Sequence, residues 1–139
     1  MNTDKVFDEL KQWDISEVKK YLLAKGVYTA GEIDDIELEY KRFLALAITN
    51  RGTPVPISEK VDPMWHTHIM FTHNYMDMSM KVNGAYIHHI PAADDDLEML
   101  TEPFEKNTLS LYRAAFGEPD PKYWNARCCK KCTCHVPAP

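Results

Sequence analysis

Apolar residues recur every third or fourth position in four stretches of this 139-residue chain, and that spacing is typical of amphipathic α-helices. The stretches cover residues 3–26, 30–50, 62–82 and 96–116. The first stretch divides in two because Asp14 or Ser16 can cap a second helix, which Gly26 is placed to end. The sequence therefore predicts an all-α fold, a compact bundle of about five helices.

Proline marks the boundaries of the middle of the chain. Pro54 and Pro56 exclude interior helix from residues 53–58, so we expect an ordered connector there. Asp62 followed by Pro63 is typical of a helix start, with the aspartate as the N-cap and the proline in the first helical position. The helix that carries most of the histidines is therefore expected to begin here.

The residue pattern changes at two further places along the chain. Asn83 and Gly84 predict a turn, and residues 85–90 a short extended segment that bears two histidines. After Gly117 the helical periodicity ends, and the rest of the chain holds four prolines and all four cysteines. We expect a single helical domain over residues 1–117 and an irregular, Pro- and Cys-rich tail over residues 118–139.

Charge and hydropathy exclude several classes of protein. A net charge of −5 argues against a nucleic-acid partner, because binding to a phosphate backbone depends on clustered Lys and Arg. No apolar run approaches the ~18–20 residues that cross a bilayer, and charged residues interrupt the first 20 positions, where a secretory signal would lie. We expect a cytoplasmic protein with neither nucleic acid nor membrane as a partner. A small-molecule or protein partner cannot be identified from these patterns.

The histidines are concentrated in one part of the chain. Five of the six lie between residues 66 and 89, and the sixth lies beside the four cysteines near the C-terminus. Imidazole and thiolate are the ligands that zinc and many transition metals prefer. The clustering therefore predicts a divalent metal, zinc or iron, as the cofactor.

Helix geometry sorts the candidate ligands. On an ideal helix, positions four and seven residues apart lie within about 40° of each other, so Asp62, His66 and His73 share one face. His68 lies about 200° from His66 and is expected to point elsewhere unless the helix begins irregularly. His88 and His89 are neighbours in an extended segment and must point to opposite sides.

One carboxylate and two imidazoles form a reactive ligand set. Mononuclear zinc hydrolases and non-haem iron centres both use such sets and leave coordination positions open. Each candidate also has a purely structural explanation: Asp62 as a helix cap, His68 as a core histidine behind a ligand, and His73 and His88 as solvent-exposed side chains.

A family resemblance strengthens part of this set. The segment from Val61 to His68 contains D-P-M-W-H-T-H, and Tyr75 and a histidine five residues after Gly84 follow it. This pattern resembles the signature of the glycine-rich domain-containing protein-like family, approximately D-x-x-W-H-x-H, then Tyr, then Gly and His. The resemblance covers roughly residues 35–91.

The resemblance implies a site but no reaction. It implies that His89, and not His88, is the relevant histidine of the pair, and that the functional set consists of Asp62, His66, His68 and His89. Members of that family often end in a glycine-rich tail dotted with cysteines, whereas this tail contains no glycine.

The tail offers a possible second metal or redox site. Its candidate ligands are Cys128, Cys129, Cys132, Cys134 and His135, with C-x-x-C and C-x-C spacings that suit thiolates around zinc or cuprous copper. Structural zinc sites usually take ligand pairs from well-separated segments, which is not the case here. A disulfide between Cys129 and Cys132, or a tail of reduced thiols, remains an alternative.

Three functions are compatible with these patterns. The first is a metal-binding protein with a His/Asp site between the Trp65-His66-Thr67-His68 helix and the segment from Gly84 to His89. The second is a metalloenzyme, a non-haem iron oxygenase or a zinc hydrolase, that uses the same site. The third is an interaction module without metal, whose histidines organise a core and whose tail has a redox role.

Overall fold

The computed structural model describes residues 2–89 and 103–125. Seven α-helices lie within these ranges: α1 (Thr3–Lys11), α2 (Ser16–Ala24), α3 (Ile33–Thr49), α4 (Asp62–Met70), α5 (Thr72–Met78), α6 (Ser110–Phe116) and α7 (Pro121–Trp124). Two π-helical turns, π1 (Ser79–Asn83) and π2 (Phe104–Leu109), follow α5 and precede α6. The described residues contain no strand, so the predicted all-α fold is confirmed.

The N-terminal half follows the predicted pattern closely. The break between α1 and α2 lies where it was expected, and the Asp14 carboxylate accepts hydrogen bonds from the backbone N–H and hydroxyl of Ser16. Gly26 has a φ of 70°, a left-handed conformation that glycine adopts without steric cost, and it ends the turn after α2. At the start of α3, the Glu32 carboxylate accepts the backbone N–H of Thr29, as in a capping box.

The central helix α3 organises the core. It packs against α1, α4 and α6, and its buried side chains lie all around the second half of the helix. Tyr40 and Phe43 are completely buried and face α4. A helix that is apolar on nearly all sides must be enclosed by its neighbours. The other helices therefore form a shell around α3, and the His-bearing segments lie on one side of it.

The start of α4 differs from the prediction. The turn begins earlier, because the Ser58 hydroxyl accepts the backbone N–H of Val61 and the Ser58 carbonyl accepts that of Asp62. Asp62 is therefore already inside the first helical turn and makes no side-chain cap. The interpretation of Asp62 as the N-cap is wrong, because Val61 occupies that position and Asp62 is the first helical residue.

The long helix predicted over residues 62–82 is broken. Phe71 leaves helical geometry with a ψ of 72°, so that α4 ends at Met70 and α5 begins at Thr72. The Phe71 ring packs edge-on against Tyr21 of α2, with the ring centroids 6.0 Å apart. Packing against α2 thus accompanies the break, and no proline or glycine marks it in the sequence.

Residues 118–125 also depart from the expected irregular structure. The Asp120 side chain accepts the backbone N–H of Lys122 and caps α7, and Tyr123 and Trp124 are buried. The Trp124 indole N–H donates to a buried Glu39 carboxylate oxygen at 2.5 Å, and the Tyr112 hydroxyl donates to the same carboxylate. This part of the predicted tail therefore packs on α3, whereas the division into a domain and a tail stays a prediction.

Several predicted features lie outside the described residues. These are the end of the extended segment, the start of the last helix near residue 96, and residues 126–139 with their cysteines. Pro103 lies immediately before π2. None of the helices in the described ranges combines the length and the apolar character that crossing a bilayer requires.

Replacing Trp124 with phenylalanine tests the packing of α7. The variant keeps an aromatic ring but loses the donor to Glu39, and the free energy of unfolding is expected to fall by ~1–3 kcal/mol. Urea denaturation measures this difference. The control is Glu118→Ala, which removes an exposed ion pair with Arg113 and should change stability by less than ~0.5 kcal/mol. Equal stability of Trp124→Phe and the unaltered chain would contradict the packing described.

Candidate functional site

Two of the predicted ligands lie one turn apart at the start of α4. The Asp62 side chain is 4% exposed and that of His66 is 42% exposed, and the Asp62 Oδ2 to His66 Nε2 distance is 3.1 Å. The four-residue spacing on one helix face explains this pairing. Asp62 is the first residue of the helix and not its N-cap, and its carboxylate contacts the His66 ring.

The third ligand comes from the segment after Gly84. His89 Nε2 lies 2.8 Å from His66 Nε2, and the two rings meet edge to face with centroids 4.5 Å apart. The His89 ring also packs edge-on against Trp65, at a centroid distance of 4.8 Å. His89 is therefore in contact with two successive residues of α4.

A buried tyrosine fixes the position of this segment. The Tyr75 hydroxyl accepts the Trp65 indole N–H at 2.9 Å and donates to the Ile87 carbonyl at 2.7 Å. Ile87 is completely buried, His88 is exposed and His89 is half-buried, which follows the alternation of an extended chain. In the sequence Tyr75 stands out only as part of the motif, because its positioning role depends on contacts between distant parts of the chain.

The three side chains form one compact group. Asp62, His66 and His89 each offer a ligand atom, and these atoms lie within 4.8 Å of one another. Ligand atoms around a four-coordinate zinc ion with bonds of ~2.0–2.1 Å are ~3.3 Å apart, so small side-chain rotations would bring the group into that geometry. A carboxylate with two imidazoles can hold a zinc or an iron ion.

His68 lies elsewhere, as the helix geometry predicts. Its Nδ1 is 2.6 Å from the Tyr40 hydroxyl and its Nε2 is 2.7 Å from Asn74 Oδ1. The Trp13 indole N–H donates to the same Asn74 oxygen, which identifies that atom as an acceptor. His68 Nε2 therefore carries the proton, and Nδ1 accepts from Tyr40. The second histidine of the motif connects α4 to α3 and to Asn74 of α5, which in turn accepts from Trp13 in the loop after α1.

The remaining sequence candidates do not join the group. His73 is exposed on α5, beyond the break at Phe71, so it no longer shares a continuous helix face with His66. His88 is exposed and its ring contacts Tyr86. The tail candidates Cys128, Cys129, Cys132, Cys134 and His135 lie outside the described residues.

The group opens onto a surface groove. This groove has a volume of about 470 Å³, and Asp62 and His66 line it together with Leu22, Val27, Glu59, Pro63 and Thr67. Its walls are mostly apolar or uncharged, and Glu59 is exposed at its edge. An ion held by Asp62 and His66 would therefore be accessible from solvent through this groove.

Comparison with known proteins gives the family. The sequence profile of the UCP032817-like family, an uncharacterised one, matches residues 5–114. The chain belongs to the UCP032817-like family. This finding overturns the resemblance to the glycine-rich domain-containing protein-like family, which rested on a few motif positions, whereas the match extends from α1 into α6. No curated protein and no solved structure matches the chain.

The buried position of His68 predicts a pH dependence of stability. Burial lowers the pKa of His68 from 6.5 to about 4, because the charged ring loses its hydration in the core. Between these values the unfolded chain binds a proton that the folded chain does not. The neutral His68 therefore contributes fully to the free energy of unfolding above pH 6.5. As the pH falls from 6.5 to 4, the free energy of unfolding decreases by up to ~3 kcal/mol.

Denaturation at a series of pH values measures this effect. We expect His68→Gln to flatten the slope between pH 6.5 and 4, because glutamine does not titrate. The matched control is His73→Gln, which removes an exposed histidine and should leave the slope unchanged. Equal slopes for the two variants would contradict the assignment of a neutral, buried His68.

Proposed function

We propose that this protein binds one zinc or iron ion through Asp62, His66 and His89. The observation that carries the proposal is the convergence of these three side chains from two separate segments, within 4.8 Å of one another. A carboxylate and two imidazole nitrogens can bind one cation together, and these three side chains already lie in contact with one another.

The surroundings of the three side chains support this proposal. Asp62 is nearly buried and thus favours pairing with positive charge. His89 is held by Trp65 and by the hydrogen bond from Tyr75 to Ile87, so that little side-chain freedom would be lost on binding. Convergence of the group is also unfavourable to a non-metal interaction module, in which the histidines would only organise a core.

The enzymatic alternative is favoured by one observation. Three ligands leave coordination positions open on either metal, and the site borders a groove of about 470 Å³. A metal-bound water there would be available to react, with Glu59 at the groove edge as a candidate base. Paramagnetic resonance and optical spectra of protein purified without oxygen distinguish iron from zinc, and activity on any substrate would have to depend on the same three ligands.

Metal content tests the proposal directly. Protein purified without added metal and then loaded with zinc or ferrous iron is expected to hold one ion per chain. His66→Ala, His89→Ala and Asp62→Asn should each weaken binding by ~100-fold or more, since each removes or weakens a direct ligand. The matched controls are His73→Ala and His88→Ala, which remove exposed histidines outside the group.

Two outcomes would contradict the proposal. One is the absence of stoichiometric metal in the unaltered protein after loading. The other is equal loss of metal in the ligand variants and in the control variants, which would indicate nonspecific binding. Circular dichroism of each variant shows whether the fold is intact.

The tyrosine that positions the histidine segment gives a second prediction. Tyr75→Phe keeps the aromatic ring but removes the hydroxyl between Trp65 and the Ile87 carbonyl. His89 then loses its fixed position, and metal affinity is expected to fall by ~10-fold or more, within the range observed for residues that orient ligands. Competition with a chelator of known affinity measures the change.

The control for this variant is Tyr86→Phe. The Tyr86 ring contacts the Tyr75 ring, and no hydrogen bond among the described residues links the Tyr86 hydroxyl to the segment that carries His89. We expect its metal affinity to match that of the unaltered protein. Unchanged affinity in Tyr75→Phe, with full occupancy of the site, would show that the hydroxyl does not position His89.

A further inference from the structure

The groove at the candidate metal site continues into a second groove. The second one has a volume of about 430 Å³ and shares Val27, Glu59 and Pro63 with the first. At its far end it is lined by Lys60, Lys122 and Asn125. The two together form a trough that begins at Asp62 and His66 and ends at two lysines.

The residues that line the trough differ in polarity and charge along its length. Its middle is lined by Val27, which is 43% exposed, by Pro63 and by the exposed carboxylate of Glu59. At the far end, Lys60 pairs with Glu32, and Lys122 lies 5.5 Å from the Tyr123 ring centroid. Metal sites with open positions accept anionic oxygen donors, and an ammonium group at a distance favours a second negative charge. Both ends of the trough would thus attract anions once a metal is bound.

We propose that the trough binds a small organic dianion, with one carboxylate on the open positions of the metal and the other at Lys122. This inference rests on the metal site of the preceding section. Val27 and Pro63 offer apolar contacts to a short hydrocarbon chain between the two carboxylates. Glu59 lines both grooves and opposes an anion, so that its charge tunes the affinity.

The test uses the full-length protein loaded with cobalt(II), whose visible spectrum reports on its ligands. In the first step, one equivalent of Co²⁺ is expected to bind the unaltered protein but not His66→Ala. In the second step, linear dicarboxylates from succinate to suberate are titrated, each against the monocarboxylate of equal chain length. A change in the cobalt spectrum reports occupation of the open position.

The unaltered protein is expected to prefer one dicarboxylate length over the matched monocarboxylate by about tenfold, because the second carboxylate reaches Lys122. Lys122→Gln should abolish this preference and leave the affinity for the monocarboxylate unchanged. Glu59→Gln should strengthen binding of both anions. The matched control is Lys5→Gln, an exposed lysine of α1 outside the trough.

The outcomes separate this inference from the metal site itself. Absence of stoichiometric Co²⁺ would overturn both proposals. Normal Co²⁺ binding without any response to anions would overturn the dianion proposal alone, as would a dicarboxylate preference that Lys122→Gln leaves intact. A sulfur-to-cobalt charge-transfer band that His66→Ala abolishes would show that a cysteine of this chain occupies the open position, and it would also overturn the dianion proposal.

Discussion

The candidate site depends on the two hydrogen bonds of the Tyr75 hydroxyl. It accepts from the Trp65 indole on α4 and donates to the Ile87 carbonyl in the segment after Gly84. All three groups are buried, where a lost hydrogen bond leaves a polar atom without a partner at a cost of ~1–3 kcal/mol. The extended segment is thereby held in one register, in which Ile87 faces the core and His89 returns to α4. The geometry of the ligand group follows from this contact.

The two histidines of the W-H-T-H motif have separate tasks. His66 lies beside Asp62 in the candidate ligand group. His68 faces the core, where Tyr40 and Asn74 form hydrogen bonds with its two ring nitrogens. The two histidines lie about 200° apart around an ideal helix, so α4 places one at the ligand group and the other in the core. Buried polar groups in small helical domains are tolerated when every one is paired. His68 meets that condition through its two hydrogen bonds.

Local patterns in the sequence were sufficient to predict the first three helices and the divergence of His66 from His68. They were insufficient where contacts between distant residues decide the structure. The break at Phe71 accompanies packing on Tyr21, and α7 is held by a bond from Trp124 to Glu39, 85 positions away. Asp62 was predicted as a cap because the earlier turn at Ser58 has only a weak signature. The family resemblance was wrong because it relied on a short motif, whereas the family match covers residues 5–114.

X-ray absorption spectroscopy of the metal-loaded chain tests the central claim most directly, because it reports the elements bound to the metal and not merely its presence. The account predicts a first shell of nitrogen and oxygen only, with outer-shell scattering from two imidazole rings. The total imidazole scattering per metal ion should decrease by half in His89→Ala, because one of the two rings is removed. A first shell with sulfur at about 2.3 Å, or one without imidazole scattering, would contradict the assignment of Asp62, His66 and His89 as the ligands.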